Sequence, residues 1–183
     1  MTTVVKFITV MVLAALTLVS CSDGASLQRY YVDKQDDDRF LKVDIAASLL
    51  KSDDSKLLTE EQQEILNTVR KINVVAYPNK GENAADYEAE KAIVKEIIAQ
   101  EQYKTLMKMG SNKSGASLKY LGEEDAIDEV VIFASDDERG FALFRLTGEK
   151  MNPGQMIRLM NSVERGDLDV SQLSGIGEIF QSM

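Results

Sequence analysis

The chain has no histidine, no tryptophan, a single cysteine and only two prolines in 183 residues. Without histidine it lacks the usual base of a Ser-His-Asp triad, the usual zinc ligand and the side chain that most often transfers protons near neutral pH. One cysteine cannot form a disulfide within the chain. These absences exclude the most familiar catalytic and zinc-binding sets and leave carboxylates, hydroxyls and amines as the available chemical groups.

Basic residues are also scarce, because 21 lysines and arginines stand against 30 acidic residues and the formal net charge is −9. Proteins that bind nucleic acid take most of their affinity from Lys and Arg that neutralise phosphates, so we expect no nucleic-acid partner. An acidic surface also disfavours lying flat on an anionic bilayer. Solubility, or a cationic partner, explains the excess of acidic residues.

The start of the chain contains a short apolar run from Phe7 to Val19, preceded by Lys6. Its 13 residues would form a helix of about 20 Å, at about 1.5 Å per residue, whereas a bilayer core measures about 30 Å. The run is therefore typical of the hydrophobic region of a secretory signal peptide, with Lys6 as its positive start.

The cysteine follows this run directly. The segment Leu18-Val19-Ser20-Cys21 resembles the lipobox of bacterial lipoproteins, in which a small residue precedes the thiol that becomes acylated. We expect cleavage between Ser20 and Cys21, with two or three acyl chains on Cys21 that hold the protein stably in a membrane of the cell envelope. Asp23, at the third position of the mature chain, favours the outer over the inner membrane. An ordinary cleaved signal with a free thiol, or an uncleaved anchor, is the alternative.

The predicted organisation is a signal peptide over residues 1–20, a lipidated cysteine and tether over 21–26, a single α+β domain over 27–165 and a C-terminal tail over 166–183. The five tether residues from Ser22 to Ser26 span at most about 17 Å when extended. Removal of the signal takes away one lysine and no acidic residue, so the net charge moves from −9 to −10. A domain of this size buries around 70% of the surface of its unfolded chain.

Apolar spacing predicts three helices and two strands in the first hundred residues. The first helix contains Leu27, Tyr30 and Tyr31. The second follows a capping box at Thr59 and Gln62, and its apolar face is Ile65, Leu66, Val69 and Ile72. The third starts near Asn83 and turns Val94, Ile97 and Ile98 inward, with Ile93 beside them.

Alternation at Leu41, Val43 and Ile45 predicts the first strand, and Val74 to Tyr77 predicts a buried second strand that ends at residues 78–81.

The rest of the chain predicts an antiparallel meander followed by a helix. The expected strands are residues 103–109, 116–121, 129–135 and 140–147. The last two form a hairpin, with Val130, Ile132 and Ala134 across from Ala142, Phe144 and Leu146. Asn152 and Pro153 predict the start of a final helix whose apolar face is Met156, Ile157, Met160 and Val163, and another helical turn is expected near Ile176 to Phe180. The predicted fold class is α+β, a mixed, largely antiparallel sheet of about six strands with helices on one face.

This layout, with the lipobox, resembles a family of uncharacterised lipoproteins from Bacteroides-like bacteria that is catalogued as domain of unknown function family 4252. The resemblance covers most of Leu27 to Val163. It is carried by Phe40–Ala46, by Ile72–Tyr77 and by the hairpin from Glu129–Phe133 to Phe141–Phe144, which precedes Thr147-Gly148 and a helix. The resemblance implies a fold and an envelope location, and it assigns no catalytic residue. Residues 168–183 fall outside it.

One short motif suggests a catalytic serine. Ser48-Leu49-Leu50-Lys51 matches the Ser-x-x-Lys pattern of penicillin-recognising enzymes, in which the lysine activates the serine. No Lys-Thr-Gly segment accompanies it, and the alternation before Ser48 predicts the end of a strand. We therefore interpret Ser48 as a polar residue that closes the first strand and Lys51 as a solvated side chain.

Acidic clusters and methionines are candidate metal ligands. Calcium ligands could come from Asp33 with Asp36, Asp37 and Asp38, or from Asp136, Asp137 and Glu138, but neither cluster has the spacing of a calcium-binding loop. Thioethers suit copper(I), and the candidates are Met107, Met109, Met151, Met156 and Met160. Solvated turns and core packing explain both sets more simply. We therefore predict no metal and no cofactor, and we interpret Tyr30 and Tyr31 as helix-packing residues.

Three classes of function remain open from the sequence. The first is a non-enzymatic envelope lipoprotein, anchored through Cys21, whose domain binds an envelope protein or a ligand. The second is a hydrolase that uses carboxylate, serine and lysine groups, and the third is a carboxylate-based module for a divalent cation. The predicted anchor, the lack of histidine and the family resemblance favour the first class.

Overall fold

The computed structural model describes residues 25–48, 59–111 and 113–164. Its helices are α1 (Leu27–Asp33), α2 (Glu60–Thr68), a 3-10 helix (Gly81–Ala85), α3 (Tyr87–Ala99) and α4 (Pro153–Glu164). Its strands are β1 (Leu41–Ala46), β2 (Val69–Pro78), β3 (Lys104–Gly110), β4 (Ser114–Glu123), β5 (Ala126–Asp136) and β6 (Gly140–Met151). The predicted α+β class is confirmed. Within these ranges no helix has the length and apolar character needed to cross a membrane.

The six strands form one sheet in the order β1-β2-β6-β5-β4-β3, and every neighbouring pair of described strands is antiparallel. The predicted number of strands is confirmed, while the expected mixed character is not found among these strands. The central hairpin has the predicted register, with Val130, Ile132 and Ala134 opposite Leu146, Phe144 and Ala142. Strand β2 then pairs with the other side of β6, so the hairpin lies inside the sheet.

Strands β2 and β6 are buried on both faces of this sheet. On β2, Val74 belongs to one hydrophobic cluster and the next residue, Val75, belongs to another. On β6, Ala142 and Leu143 divide between the same two clusters. Because successive side chains of a strand point to opposite faces, the two clusters form two cores, one on each side of the sheet.

Helices therefore cover both faces, and the prediction of helices on one face is wrong. Leu27 of α1 and Val94 of α3 pack into the cluster of Val75, which we call the α3 face. Ile65 of α2 and Met156 of α4 pack into the opposite cluster, the α2 face. The physical reason is visible in the run from Val74 to Tyr77, since an uninterrupted apolar strand needs cover on both sides.

The second helix is shorter than predicted. The capping box is confirmed, because Gln62 N donates to Thr59 Oγ1 at 3.2 Å and Thr59 N donates to Gln62 Oε1 at 2.8 Å. However, Val69 and Ile72, predicted for the face of this helix, lie in β2. Both are β-branched, which suits a strand, and pairing of β2 with β1 and β6 stabilises the extended form.

Of the other two predicted helix starts, that of α3 is shifted and that of α4 is confirmed. Helix α3 begins at Tyr87, after the 3-10 helix, rather than near Asn83, and its predicted inward residues Val94, Ile97 and Ile98 are buried. Its neighbour Ile93 is 41% exposed. The start of α4 is confirmed, because Asn152 Oδ1 accepts a hydrogen bond from Gln155 N at 3.2 Å and Pro153 is the first helical residue.

Helix α1 lies along α3 in the opposite direction. At one end, Gln100 Nε2, just beyond α3, donates to the Ala25 carbonyl at 2.6 Å, and Ser26 is the N-cap of α1. At the other end, Lys34 and Tyr30 both contact the carboxylate of Glu90 in the first turns of α3. Ala25, the first described residue before α1, therefore lies beside the C-terminus of α3.

Candidate binding site

A cleft of about 490 Å³ opens on the α3 face, between α1 and the strands β1, β2 and β6. We call it the α1 cleft. Its lining is mostly polar and consists of Gln28, Tyr31, Val32, Gln35, Lys42, Asp44, Lys71, Asn73, Val74, Val75, Arg145 and Thr147.

Strand register explains why polar side chains gather there. Asp44 of β1, Asn73 of β2 and Arg145 of β6 are direct neighbours across three adjacent strands. Two residues further along β2, and two back along β6, the same face carries Val75 and Leu143, which α1 and α3 cover. The α3 face thus changes from apolar to polar at this row, and the cleft lies over the polar half.

Arg145 is held in the wall of the cleft by a buried carboxylate. Its Nε donates to Glu129 Oε2 at 2.8 Å, and its Nη2 lies 2.6 Å from the same oxygen. Its Nη1 donates to Gln28 Oε1 on α1 at 2.6 Å. The arginine and glutamate side chains are only 15% and 9% exposed, so each charge depends on the other. This pair also joins α1 to the two central strands of the sheet.

Two tyrosine hydroxyls complete the network. Tyr103 Oη donates to Glu129 Oε1 at 3.3 Å, and burial, followed by the nearby Glu129 charge, raises the pKa of this hydroxyl. Tyr31 Oη donates to the Leu143 carbonyl at 3.1 Å, with the Asn73 carbonyl at 3.4 Å. Burial raises the pKa of Tyr31 well above its ordinary value, although the Arg145 charge opposes the shift. Both hydroxyls are therefore neutral donors at physiological pH.

The mouth of the cleft carries an exposed ion pair. Lys71 Nζ donates to Asp44 Oδ2 at 2.8 Å, and the Asn73 amide donates to Asp44 Oδ1. Partial burial raises the pKa of Asp44, but the hydrogen bonds from Lys71 and Asn73 outweigh it and the net shift is downward. Lys42 Nζ donates to three backbone carbonyls at the C-terminal end of α1. The cleft thus offers fixed groups of both charge signs, together with amides and the exposed side chain of Val32.

The predicted serine motif is only partly described. Ser48 is exposed and lies two residues after the end of β1, as predicted. Lys51 lies outside the described residues, as do Ser20 and Cys21.

Both acidic clusters contain residues that make contacts within the protein. Asp37 accepts hydrogen bonds from Nε and Nη2 of Arg39, at 3.0 and 2.8 Å, and these bonds lower the pKa of Asp37 to about 2. In the hairpin turn, the backbone N–H of Glu138 donates to Asp136 at 2.9 Å and lowers its pKa, while Asp137 pairs with Lys91 at 2.8 Å. Among the described residues no three acidic side chains are grouped to hold a metal ion.

The candidate methionines are divided between core and sheet. Met151 and Met156 are buried in the cluster of the α2 face, and Met107 packs against it. Met109 lies near the end of β3. The helix-packing interpretation of Tyr30 is confirmed by its burial at 4% exposure, whereas Tyr31 also lines the cleft.

Sequence reasoning missed Arg145, Glu129, Lys71 and Asn73. A signal was present for two of them, since Asn73 and Arg145 each stand between two apolar residues of a strand, and Asn73 and Glu129 are buried. Buried polar groups require partners, which indicates that such residues meet one another. The predicted hairpin register already places Arg145 near Glu129, but the sequence could not show that β2 would bring Lys71 and Asn73 beside them.

Comparison with known proteins gives one match. A family model described as "Domain of unknown function (DUF4252)" matches residues 30–159. No curated protein and no solved structure matches the chain.

We predict that Arg145→Met lowers the free energy of unfolding by about 3–5 kcal/mol, because it leaves the Glu129 carboxylate buried without a cation. The double variant Glu129→Gln/Arg145→Met should recover most of this loss in urea unfolding experiments. Arg70→Met is the matched control, since its partner Glu149 is 65% exposed and such pairs contribute about 0–1 kcal/mol. Equal losses for Arg145→Met and Arg70→Met would contradict the assignment.

We predict that the Asp37 carboxyl titrates at about 2 in the folded chain, against an ordinary 3.8. Because the folded pKa is the lower one, the stability from this group is complete above the ordinary value and is lost as pH falls from about 4 to 2. Carboxyl carbon NMR measures the midpoint, and Arg39→Gln should return it toward 3.8. A midpoint near 4 in the unaltered chain would refute the pairing.

Proposed function

The chain belongs to the family described as a domain of unknown function (DUF4252), and we propose that it is a lipid-anchored binding module of the cell envelope. In this proposal Cys21 carries the lipid, in the outer rather than the inner membrane, and the α1 cleft binds a polar partner without converting it chemically. The partner is an envelope protein segment or a ligand that offers both hydrogen-bond donors and acceptors.

The observation that carries the binding proposal is the row of Asp44, Asn73 and Arg145 in an open cleft. Binding sites use a few convergent polar groups to orient a ligand, and about 490 Å³ lies within the usual range of about 300–1,000 Å³. Arg145 is fixed by Glu129 and Gln28, so little side-chain entropy remains to be lost on binding. Val32, 55% exposed, adds an apolar contact at the rim.

The ionisable groups of the cleft support binding rather than catalysis. A general acid or base works best when its pKa lies near the working pH. The pKa of Asp44 is instead lowered, and that of Tyr31 is raised far above neutral. These shifts hold the charges of the cleft constant around neutral pH, which suits a recognition surface.

The position of α1 agrees with a short tether. Its N-cap, Ser26, follows Cys21 by five residues, and the same helix supplies one wall of the cleft. An extended tether of about 17 Å would hold the cleft near the membrane surface, where it would meet other anchored molecules.

We predict that Cys21→Ala abolishes incorporation of labelled fatty acid and moves the protein from the membrane fraction to the soluble fraction. The reason is that the only cysteine of the chain is the proposed attachment point. Ser22→Ala is the matched control and should keep both the label and the membrane location. If Cys21→Ala stays uncleaved and membrane-bound, the apolar run is a transmembrane anchor and the lipoprotein proposal fails.

We predict that a photo-crosslinking amino acid at Val32 forms a reproducible adduct in intact cells, seen as a defined mass shift. The same amino acid at Ile93, which is 41% exposed on α3 and outside the cleft, should form none. Asp44→Ala should remove the Val32 adduct, because it breaks the polar row while leaving the core intact. Equal adducts at both positions, or persistence in Asp44→Ala, would count against the cleft.

A further inference from the structure

A second concavity, of about 370 Å³, lies on the α3 face between the C-terminal half of α3 and the strands β3 to β5. We call it the lysine groove. Lys95 of α3, Lys108 of β3 and Lys119 of β4 all line it. Lys108 pairs with Ser117 and Lys119 pairs with Thr105, so the two strand lysines lie on the same face of the edge hairpin.

Among the residues that the structure describes, no carboxylate pairs with these three ammonium groups. No Asp or Glu is among the residues that line the groove, although the chain as a whole has a net charge of −9. The ammonium groups of Lys95 and Lys108 form no hydrogen bond or ion pair with any residue that the structure describes. Lys119 Nζ donates only to backbone carbonyls, those of Ile98 at 2.5 Å and Tyr103 at 3.4 Å. Partial burial, and then the charge of Lys108, lowers the pKa of Lys119.

This concentration of like charge differs from the rest of the domain. Lys34, Lys71 and Lys91 each lie within 2.8 Å of an acidic oxygen. Lys113 and Lys150 form no such pair with a described residue, but both are exposed and neither lines the groove. Cations that repel one another in a groove without an anion gain most when an anionic ligand enters. The described residues supply no anion that neutralises the lysines of the groove, so an anionic ligand would be stabilised there.

Hydroxyl groups add hydrogen-bond donors beside the lysines. Thr105, Ser117 and Ser135 line the groove, and their hydroxyls form no hydrogen bond with a described residue. Several donors around two or three ammonium groups match a phosphate, whose oxygens accept hydrogen bonds in several directions. A carboxylate offers only two oxygens and would leave part of this set unused.

The groove also lies near Ala25, the first residue of this part of the chain that the structure describes. Gln100, which binds the Ala25 carbonyl, is two residues beyond Ile98, which lines the groove and binds Lys119. If Cys21 is acylated, as the proposed function states, the tether brings this end of α3 to the depth of lipid headgroups. A headgroup phosphate is then the nearest abundant ligand of the required chemistry.

We infer that the lysine groove binds the phosphate group of a phosphate ester, with Lys95, Lys108 and Lys119 as its cationic ligands and Ser117 and Thr105 as hydroxyl donors. The membrane position rests on the proposed function, whereas the phosphate chemistry rests on the groove alone. The phosphate belongs either to an anionic lipid headgroup or to a soluble ester, and the two sources are distinguished by experiment.

The test uses the full chain, purified in a neutral detergent, and two probes. The soluble probe is glycerol 3-phosphate, followed by calorimetry and by phosphorus NMR. The membrane probe is a set of vesicles of phosphatidylcholine with or without 20% phosphatidylglycerol. The test variant Lys95→Gln/Lys108→Gln removes two ammonium groups that make no contact in the fold. The control Lys80→Gln/Lys150→Gln removes the same charge at exposed positions outside the groove.

We expect binding that weakens with salt, and a loss of about tenfold or more in the test variant with no such loss in the control. Binding of glycerol 3-phosphate identifies a site that accepts a soluble ester, and binding only to vesicles with phosphatidylglycerol identifies a headgroup site. Both results support the inference. The inference is overturned if the chain binds neither probe, or if the two double variants bind equally well.

The soluble arm separates this inference from the anchor. Cys21→Ala should bind glycerol 3-phosphate as the unaltered chain does, because acylation takes no part in the groove. If Cys21 proves not to be acylated but this binding persists, the anchor fails and the phosphate site stands. If acylation is found and neither probe binds, the anchor stands and the phosphate site fails.

Discussion

Strands β2 and β6 are buried on both faces of the sheet, and this burial determines where the helices pack. Tyr77 of β2 and Phe141 of β6 have no exposed surface, and their rings stack 5.7 Å apart on the α3 face. Val74 and Ala142, on the same two strands, are buried on the α2 face. Neither face can be left to water, so helices must pack on both. The α3 face becomes polar where α1 and α3 no longer cover it. The α1 cleft and the lysine groove both lie at the edges of the covered area.

These two concavities differ in how their charges are satisfied. In the α1 cleft, Arg145 is neutralised by Glu129 and Asp44 by Lys71, so the fold itself accounts for the charged groups. In the lysine groove, Lys95 and Lys108 have no such partners among the described residues, in a chain with an excess of acid. The first arrangement presents a fixed polar surface, whereas the second gains stability from an external anion. A short tether beside Gln100 would bring both to a membrane surface.

Local sequence patterns predicted most of the helices and strands, but they did not predict how distant elements are placed against one another. The hairpin register followed from alternation around a tight turn, and the caps at Thr59 and Asn152 follow from chemistry within four residues. Val69 and Ile72 were misassigned because their spacing also fits a helix face, and only pairing with strands distant in sequence decides between the two. Arg145 and Glu129 lie diagonally across the predicted hairpin, so its register already brings them together. Asp44 and Arg145 meet through the sheet order, and Lys95 and Lys119 meet through packing of α3 on the sheet, which no local pattern encodes.

We propose that acylated Cys21 holds the domain with the C-terminal end of α3 toward the membrane and the hairpin turn at residues 137–139 away from it. The most direct test places the acylated chain in lipid nanodiscs that contain spin-labelled headgroups and measures paramagnetic broadening of backbone amides. We predict the strongest broadening at residues 100–104, beside Ala25, and the weakest at residues 137–139, near the start of α3. Strongest broadening at the hairpin turn, or equal broadening at both ends, would contradict it.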